Sequence, residues 1–306
     1  MNTISLPNFL IVGAARSGTT SLYHYLDQHP DIYFSETKEP CFLAYARGLY
    51  KGEVHRHAVT DLDNYVKLFS PGISNKWRGE ASAIYLHLHT EVINNIEFYI
   101  PHHKDLRIIM ILRNPIERAF SQYMRNVRNM QETISFEEAV RMETERKSKG
   151  FNSDFFYIER GFYHDQVKDF VEKFKYIKVI LYEDFSKDPL KEIDDIFDFL
   201  QLKRSFDINT DQHFNKSGKP KLKFLLKLQM ALIYKKNPIK SVAKFMLPKK
   251  IRKTTAHHFT NLVYDHTLEK QSVSKETYLK LLEIYRSDIE QLGKLIGRDL
   301  SGWLQS

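Results

Sequence analysis

The sequence predicts an α/β protein in which a central parallel β-sheet is flanked by helices. Two short apolar segments, Asn8 to Gly13 and Arg107 to Leu112, indicate buried strands, and each leads directly into a helical stretch. Strands that alternate with helices in this way pair in one parallel sheet. The chain has 306 residues, of which 42% are apolar, so we expect a single domain over residues 1–306.

The first predicted strand is followed by a tight loop and then by a helix. Gly13 ends the apolar run, the helical stretch covers about Thr19 to Gln28, and His29 with Pro30 marks its stop. In the second unit, Pro115 lies in the expected first turn of the next helix, where a missing N–H is tolerated. Both units therefore have the order strand, loop, helix.

Further elements are predicted in the second half of the chain. Ile177 to Leu181 indicates another short strand, and apolar residues at helical spacing beyond Pro189 indicate a helix. A long closing helix is predicted from apolar residues three or four positions apart, which are Tyr278, Leu281, Leu282, Tyr285, Ile289, Leu292 and Ile296. We expect both helices to pack against the core.

One segment sets the basic character of the chain. The net charge is +8, but residues 212–264 contain 13 Lys and Arg and no Asp or Glu, which leaves 33 basic and 38 acidic residues elsewhere. Lysine-rich and leucine-rich patches alternate there, so we expect a basic helical cap at about residues 221–264. This cap either binds an anionic ligand, an acidic polymer or an anionic membrane surface, or is a solvated helical face.

The sequence also indicates where in the cell the protein is located. The longest apolar run near the start, Phe9 to Val12, is far shorter than the roughly 20 residues of a membrane span, and no signal-peptide pattern precedes it. Cys41 is the single cysteine and forms no internal disulfide, which suits a reducing compartment. We expect a cytoplasmic protein without a transmembrane segment, in which any peripheral membrane contact runs through residues 221–264. No nucleic-acid-binding pattern is visible, so no such partner is expected.

The loop after the first strand has the chemistry of a phosphate cradle. Gly13 and Gly18 stand at the G-x-x-x-x-G spacing in the string GAARSGTTSL. Small residues let backbone amides turn toward an anion, and the following helix N-terminus adds its positive dipole. Thr19 replaces the lysine of nucleotide triphosphatases, and the strand that ends at Arg113 supplies no magnesium-binding aspartate. The only cation of the loop is Arg16, so the loop favours a metal-free donor.

Two segments on successive strand–helix units, Phe9 to Leu22 and Arg107 to Tyr123, carry a family resemblance. They are similar to the 5′-phosphosulfate loop and the 3′-phosphate element of sulfotransferases that use 3′-phosphoadenosine 5′-phosphosulfate (PAPS). The resemblance implies a P-loop-like sulfotransferase architecture, with PAPS as co-substrate and no metal. It assigns the 3′-phosphate to Arg113 and Ser121. It assigns the 5′-phosphosulfate to Arg16, Ser17, Gly18, Thr19, Thr20 and Ser21.

Later segments extend the resemblance, which covers most of residues 5–220 and the closing helix. The string GFYHDQVKDF is similar to a family segment near the nucleotide pocket, which implies that Tyr163 lies near the adenine; the alternative is a core tyrosine. The string HFNKSGKPK resembles the basic glycine loop that closes over the donor phosphates. It implies that Lys216 and Lys219 bind these phosphates, the alternative being solvent-exposed lysines.

The segment SETKEPCFL, Ser35 to Leu43, resembles the KEPxFF-type element of glycan and related bacterial sulfotransferases, although Leu43 replaces the second aromatic residue. The resemblance implies that Glu39 is the catalytic base that takes the proton of the acceptor. It further implies that Arg16 and Lys38 stabilise the charge that grows on the departing phosphate oxygen. Opposite charges would then flank the sulfuryl group.

Other residues compete for the role of the base. Glu80 lies in GEASAIYL, a segment similar to a second acceptor-side element of the family, and His87 and His89 follow closely. Glu39 itself has a structural alternative as a solvated carboxylate before a proline turn. The sequence therefore ranks Glu39 first and leaves the other three open.

Together the motifs predict an enzyme that transfers a sulfuryl group from PAPS to an acceptor hydroxyl or amine by in-line displacement. The resemblance favours a carbohydrate acceptor, and the basic segment is compatible with an acidic one. One alternative is a magnesium-nucleotide phosphotransferase, against which the missing lysine and aspartate argue. A second alternative is a non-catalytic protein that binds anionic glycans, which salt-sensitive binding without PAPS turnover would favour.

Overall fold

A computed structural model describes residues 5–204, 206–210 and 272–305, together with the backbone of residues 219–220 and 268–269. The central sheet has five strands, which are β1 (Phe9–Gly13), β2 (Ile32–Phe34), β3 (Trp77–Ala81), β4 (Arg107–Leu112) and β5 (Tyr176–Leu181). They pair in parallel in the order β2-β3-β1-β4-β5. This arrangement confirms the predicted α/β class with a parallel central sheet.

Helices fill most of the connections between the strands. The α-helices of the described residues are α1 (Thr19–Leu26), α2 (Phe42–Tyr45), α3 (Leu62–Lys67), α4 (His89–Tyr99), α5 (Pro115–Arg128), α6 (Phe136–Arg141), α7 (Glu143–Ser148), α8 (Tyr163–Lys173), α9 (Tyr182–Lys187), α10 (Pro189–Phe199) and α11 (Lys275–Ile296). Short 3₁₀ helices cover Ala46–Gly48, Ser70–Gly72, His103–Asp105, Ser153–Phe155, Glu159–Gly161 and Ser301–Leu304.

The core is built around β1, which lies at the centre of the sheet. Phe9 and Ile11 point to one face, where they join a hydrophobic cluster with side chains of α1 and α10. Leu10 and Val12 point to the opposite face, because successive side chains of a strand alternate. Both are completely buried, so that face is covered as well. A sheet covered on both faces explains why β1 and β4 are apolar runs without alternation.

The carboxyl ends of the strands form the edge at which the candidate site lies. The chain leaves β1 toward β2 on one side, whereas β4 flanks β1 on the other, so the strand order changes direction there. Ligands of open α/β sheets bind in the crevice at such a point. The loop after β1 is held to the neighbouring strand, since Ala14 N–H donates to Ile111 O at 2.7 Å.

Most predicted boundaries agree with the structure. β4 has the predicted bounds, and β5 begins at Tyr176, one residue before the prediction. Helix α1 ends at Leu26 and not at Gln28. The reason is a tightened last turn, in which Gln28 N–H donates to the carbonyl of Tyr25, three residues back.

The two helices predicted in the second half are confirmed, and a side chain caps the N-terminus of each. Pro189 is the first residue of α10, and the Asp188 carboxylate accepts a backbone N–H of the first turn. Ser274 caps α11 through its hydroxyl, and the helix ends at Gly297, whose φ of 64° suits glycine. Five of the seven apolar residues predicted for its buried face are buried, and Tyr278 and Ile296 near its ends are half-buried.

The described residues divide into two compact units. The larger unit takes the described part of Met1–Gln122, Ile134–Phe214 and Val273–Ser306, and the smaller takes that of Tyr123–Thr133 and Asn215–Ser272. In the smaller unit, β6 (Lys219–Pro220) pairs antiparallel with β7 (Leu268–Glu269). The predicted cap at 221–264 lies outside the described residues, so the cap and the single domain stay predictions. Among the helices that are described, none has the length and apolar content needed to cross a bilayer.

Candidate active site

The loop between β1 and α1 has the geometry of an anion cradle. Gly18 precedes α1 with φ 94°, and Arg16 within the loop has φ 72°, so both adopt left-handed conformations. No side chain caps the N-terminus of α1, and no acidic residue lies in its first turn. The amides of that turn have no partner within the helix, and they and the helix dipole therefore favour a negative ligand.

The ring of Tyr182 also leaves little room for a side chain at position 18. A Cβ atom at this position would lie 3.2 Å from the ring of Tyr182, the first residue after β5. In the first turn of α1, Thr19 is buried, whereas Thr20 and Ser21 are half-buried. The predicted phosphosulfate residues of this turn are thus part of one compact loop–helix junction.

The structure brings the two predicted phosphate elements together in one corner. Arg16 Nε donates to Ser121 Oγ at 3.1 Å, and Arg113 Nη1 contacts the backbone oxygen of Arg16 at 3.4 Å. Arg113 also forms an ion pair with Glu117 at 3.2 Å and stacks over the Tyr182 ring, 4.8 Å from its centroid. Two arginines therefore lie next to each other at the carboxyl edge of the sheet, where their positive charges favour phosphate groups.

Ser17 and Tyr163 lie in the interior behind this loop. Both side chains are completely buried, and their hydroxyl oxygens have no partner of hydrogen-bond geometry among the described residues. Burial raises the pKa of Tyr163 to about 12, and the nearby Arg118 charge and the Ser17 hydroxyl lower it in part. The Tyr163 ring packs 6.4 Å from that of Trp303. The contact between Tyr163 and adenine stays a prediction.

The loop after β2 presents the predicted base. Glu39 adopts a left-handed φ of 58°, and its backbone N–H donates to Ala81 O at 3.1 Å. Its Oε1 lies 2.8 Å from Lys38 Nζ, and the two side chains are 41% and 21% exposed, respectively. The carboxylate of Glu39 is therefore accessible to a ligand, and Lys38 lies directly beside it.

Glu80, the rival base, lies in a different environment. The residue is 1% exposed, and its carboxylate accepts hydrogen bonds from the hydroxyls of Tyr65, Tyr85 and, at 2.7 Å, Ser82. Burial raises the pKa of Glu80 to about 7, although these hydrogen bonds lower it in part. The protein therefore encloses the Glu80 carboxylate on all sides.

The two histidines have separate partners. His89 Nδ1 lies 2.6 Å from Asp169 Oδ2. His87 packs against Phe156, with ring centroids 6.4 Å apart. Burial, followed by the charges of Arg160 and other cations, holds the pKa of His87 well below its usual value, so this imidazole is neutral at neutral pH.

Some predicted residues could not be placed, and one contact was not predicted. Lys216 lies outside the described residues, and only the backbone of Lys219 is described, in β6. The Tyr182 ring lies beside Gly18 and under Arg113, but the sequence did not single out this residue. The available signal was its position directly after β5, at the edge where parallel strands end.

This chain is similar to several known proteins. Residues 7–207 match the model described as the sulfotransferase family. The chain is 33% identical over 122 residues to the membrane-associated sulfotransferase kil1 of Dictyostelium discoideum, over 39% of this chain and 23% of that protein. It is 27% identical over 212 residues to heparan sulfate glucosamine 3-O-sulfotransferase 3B1 of Mus musculus, over 68% of this chain and 49% of that protein. The matches thus span half or less of these two relatives.

A solved structure supports the similarity over nearly the whole chain. The crystal structure of a sulfotransferase from Alicyclobacillus acidocaldarius has a TM-score of 0.73 and 29% sequence identity. The match covers 98% of this chain and 99% of that chain. The two chains therefore share the same overall fold.

Proposed function

The chain belongs to the sulfotransferase family, and from this premise we propose that it transfers a sulfuryl group from PAPS to a hydroxyl or amine of a carbohydrate. The 3.1 Å hydrogen bond from Arg16 Nε to Ser121 Oγ is the observation that carries the proposal. It joins two segments that are 105 residues apart in the sequence. A donor with phosphate groups on both its 5′ and 3′ sides fits two cationic elements that meet in one corner.

The residues of this corner fit such a donor. Arg16 and the first-turn amides of α1 would hold the 5′-phosphosulfate, and Arg113 with Ser121 would hold the 3′-phosphate. The left-handed Gly18 lets the backbone approach an anion closely, which supports this assignment. PAPS would supply the sulfuryl group, and 3′,5′-ADP would depart with the 5′-phosphate oxygen that had carried it. The guanidinium of Arg16 would stabilise the negative charge on that oxygen.

We assign the acceptor proton to Glu39. Its partial exposure gives a bound hydroxyl or amine access to the carboxylate, and Lys38 restrains its Oε1 at 2.8 Å. Lys38 also lies close enough to the carboxylate to add positive charge beside the reacting group. Glu80 is enclosed, so an acceptor atom could not reach it without opening of the loop. This difference in access favours Glu39 as the base.

The acceptor class is also part of the proposal. The mouse relative is named for the 3-O-sulfation of a glucosamine in heparan sulfate, which is an acidic glycan. The 13 basic residues of 212–264 support an acidic glycan as acceptor for this chain too. A cytoplasmic location is proposed from the single cysteine, and fractionation of cells that express the protein would test it.

The test is transfer of labelled sulfate from PAPS to a panel of glycans, phenols, lipids and amines, with and without EDTA. We expect transfer to at least one carbohydrate and no loss of activity with EDTA, because the loop supplies its own cation. Transfer of phosphate from a magnesium nucleotide would support the phosphotransferase alternative. Salt-sensitive glycan binding without any PAPS turnover would overturn the proposed activity.

A further inference from the structure

Residues 39–43, which we call the Glu39 loop and which include the first two residues of α2, are attached at every second residue to the end of β3 and to the chain directly after it. The backbone N–H of Glu39 donates to the carbonyl of Ala81 at 3.1 Å. The next two attachments end on side chains: Cys41 N–H donates to Ser82 Oγ at 3.1 Å, and Leu43 N–H donates to Tyr85 Oη at 3.0 Å. The conformation of the loop therefore depends on two hydroxyl oxygens.

Both of these hydroxyls donate to the same buried carboxylate. Ser82 Oγ–H donates to Glu80 Oε1 at 2.7 Å, and Tyr85 Oη–H donates to the same oxygen. A hydroxyl that donates to a carboxylate is fixed in orientation and becomes a better acceptor, because chains of hydrogen bonds polarise one another. Glu80 is thus connected to two backbone amides of the loop through one hydroxyl each.

The loop needs this support because its backbone is strained. Glu39 has a φ of 58° and Cys41 a φ of 56°, and neither is a glycine. A residue other than glycine is disfavoured in this region and persists only where the surroundings hold it. Two such residues, separated only by Pro40, would relax if their attachments were removed.

We propose that Glu80 is a positioning residue that acts through Ser82 and Tyr85 to hold the loop in the conformation that presents Glu39. The importance of this position for catalysis rests on the proposed function. The positioning itself does not, because it can be measured without an acceptor. Glu80 is 1% exposed, and its three hydrogen bonds come from Tyr65, Ser82 and Tyr85, none of which is a predicted donor residue.

Cys41 provides a reporter of the loop. It is the single cysteine of the chain and is buried, and its thiol donates to the carbonyl of Glu39 at 3.2 Å. A thiol reagent such as DTNB can reach it only when the loop opens. The rate of labelling therefore measures the population of the open loop.

Tyr65 offers a matched control for Tyr85. Both tyrosines are completely buried, and both donate a hydroxyl hydrogen bond to Glu80. Only the hydroxyl of Tyr85 accepts a hydrogen bond from the loop. The ring of Tyr65 stacks on Phe42 with centroids 4.2 Å apart, and this contact is kept in phenylalanine. The two Tyr→Phe changes thus differ in one loop attachment.

We expect Tyr85→Phe to raise the DTNB labelling rate of Cys41 about tenfold, because one hydrogen bond that holds the loop closed is lost. Tyr65→Phe should change this rate less than about threefold, because it removes no bond to the loop. With the best acceptor of the panel, Tyr85→Phe should lower kcat by roughly tenfold to hundredfold, because misplacement of a catalytic group is costly. The affinity for 3′,5′-ADP should be preserved. Glu80→Gln should follow Tyr85→Phe in both readouts.

Equal labelling rates in the Tyr65 and Tyr85 variants would overturn the proposal, because the hydroxyls would then support the core in general. Wild-type labelling in a folded Glu80→Gln protein would overturn the role of Glu80. Faster labelling with an unchanged kcat would uphold the positioning but contradict Glu39 as the base. The labelling rate therefore tests this inference, and kcat tests the proposed function.

Discussion

Arg16 and Arg113 occupy one corner of the molecule but contribute in different ways. Arg16 lies in the loop between β1 and α1 and donates to Ser121. Arg113 extends from the end of β4, where Glu117 and the Tyr182 ring hold its guanidinium. An arginine held by neighbours loses less entropy when it binds a phosphate, so both side chains are prepared for an anionic ligand.

The first prediction concerns the 3′-phosphate. Arg113→Ala and Ser121→Ala should each weaken binding of 3′,5′-ADP far more than binding of 5′-AMP, which lacks that phosphate. A hydrogen bond to a charged group contributes about 1.5–3 kcal/mol, so the arginine variant should lose about tenfold or more in affinity. Isothermal titration calorimetry measures both ligands. Equal losses for the two nucleotides would show that these residues support the fold and not the 3′-phosphate.

The second prediction isolates the base. Glu39→Gln keeps the shape of the side chain but cannot accept a proton, so kcat should fall by roughly 10²–10⁴-fold with little change in the affinity for 3′,5′-ADP. Glu36→Gln is the control, since Glu36 is an exposed carboxylate in the same loop. Steady-state kinetics with PAPS gives kcat for both variants. A near-normal kcat in Glu39→Gln would show that another residue is the base.

Among the structural elements, the junction of β1 with α1 and the end of β3 determine the geometry of the candidate site. The first junction depends on backbone conformation, because Gly18 must be left-handed and must leave room for Tyr182. The second depends on a buried carboxyl group, because Glu80 accepts three hydroxyl hydrogen bonds. Each element can be tested by a change that affects one of these features.

The third prediction compares two left-handed glycines. Gly18→Ala should destabilise the protein by about 1–2 kcal/mol through the backbone and weaken 3′,5′-ADP about tenfold, because the loop must shift away from the Tyr182 ring. Gly48 also has a positive φ, but a Cβ there meets no atom within 4 Å. Gly48→Ala should therefore show the loss of stability in urea unfolding without the loss of affinity. Similar affinities for the two variants would contradict the role of Gly18.

The fourth prediction is a pH dependence of stability. The pKa of Glu80 is about 7 in the folded protein and near 4.5 when unperturbed, so the folded state binds this proton more tightly. Its contribution to the free energy of unfolding is complete below pH 4.5 and is lost as the pH rises to about 7. The loss is roughly 3 kcal/mol at most. The titratable groups that face the carboxyl are Tyr65, Tyr85 and Cys41, whose pKa values burial raises and whose groups stay neutral in this range.

Urea unfolding of the wild type and of Glu80→Gln between pH 4.5 and 8 measures this effect. Glutamine does not titrate, so the stability of the wild type relative to the variant should decrease as the pH rises. A difference that is constant over this range would show that Glu80 does not change its protonation on folding.

At the scale of the whole molecule, charge is distributed unevenly along the chain. Residues 212–264 carry 13 basic and no acidic residues, whereas the other residues carry 33 basic and 38 acidic ones. A segment of one sign attracts an oppositely charged acceptor over about a Debye length, roughly 10 Å at 0.1 M salt. We therefore expect the lysines after Pro220 to act on acceptor binding, whereas Lys216 and Lys219 of the same segment are predicted to bind the donor phosphates.

The fifth prediction follows from this distribution. Reversal of lysines in the basic segment should raise the acceptor KM steeply at low salt while the PAPS KM barely changes. The residues to change to glutamate are Lys235, Lys236, Lys240 and Lys244. The control is the reversal of exposed lysines outside the segment, namely Lys67, Lys104, Lys175 and Lys294. The same acceptor KM in both sets at every ionic strength would support a solvated helical face.

Local patterns were sufficient to predict much of the fold. β1 and β4 were predicted because a strand buried on both faces is a continuous apolar run. α11 was predicted because its buried stripe repeats at the helical period. β3 was missed, since WRGEA has neither an apolar run nor a clear alternation, and its pairing with β1 and β2 supplies what its sequence lacks.

Part of the candidate site could likewise be predicted from local patterns, and part could not. The loop after β1, the family resemblance and the candidates for the base could be predicted from the sequence, because they depend on neighbouring residues and their order. The fold was needed to show that Arg16 donates to Ser121 and that Glu80 is enclosed while Glu39 is accessible. The sequence shows two similar carboxylates. Their difference arises because hydroxyls from α3 and from the chain after β3 converge on Glu80, and such convergence of distant residues leaves no local pattern.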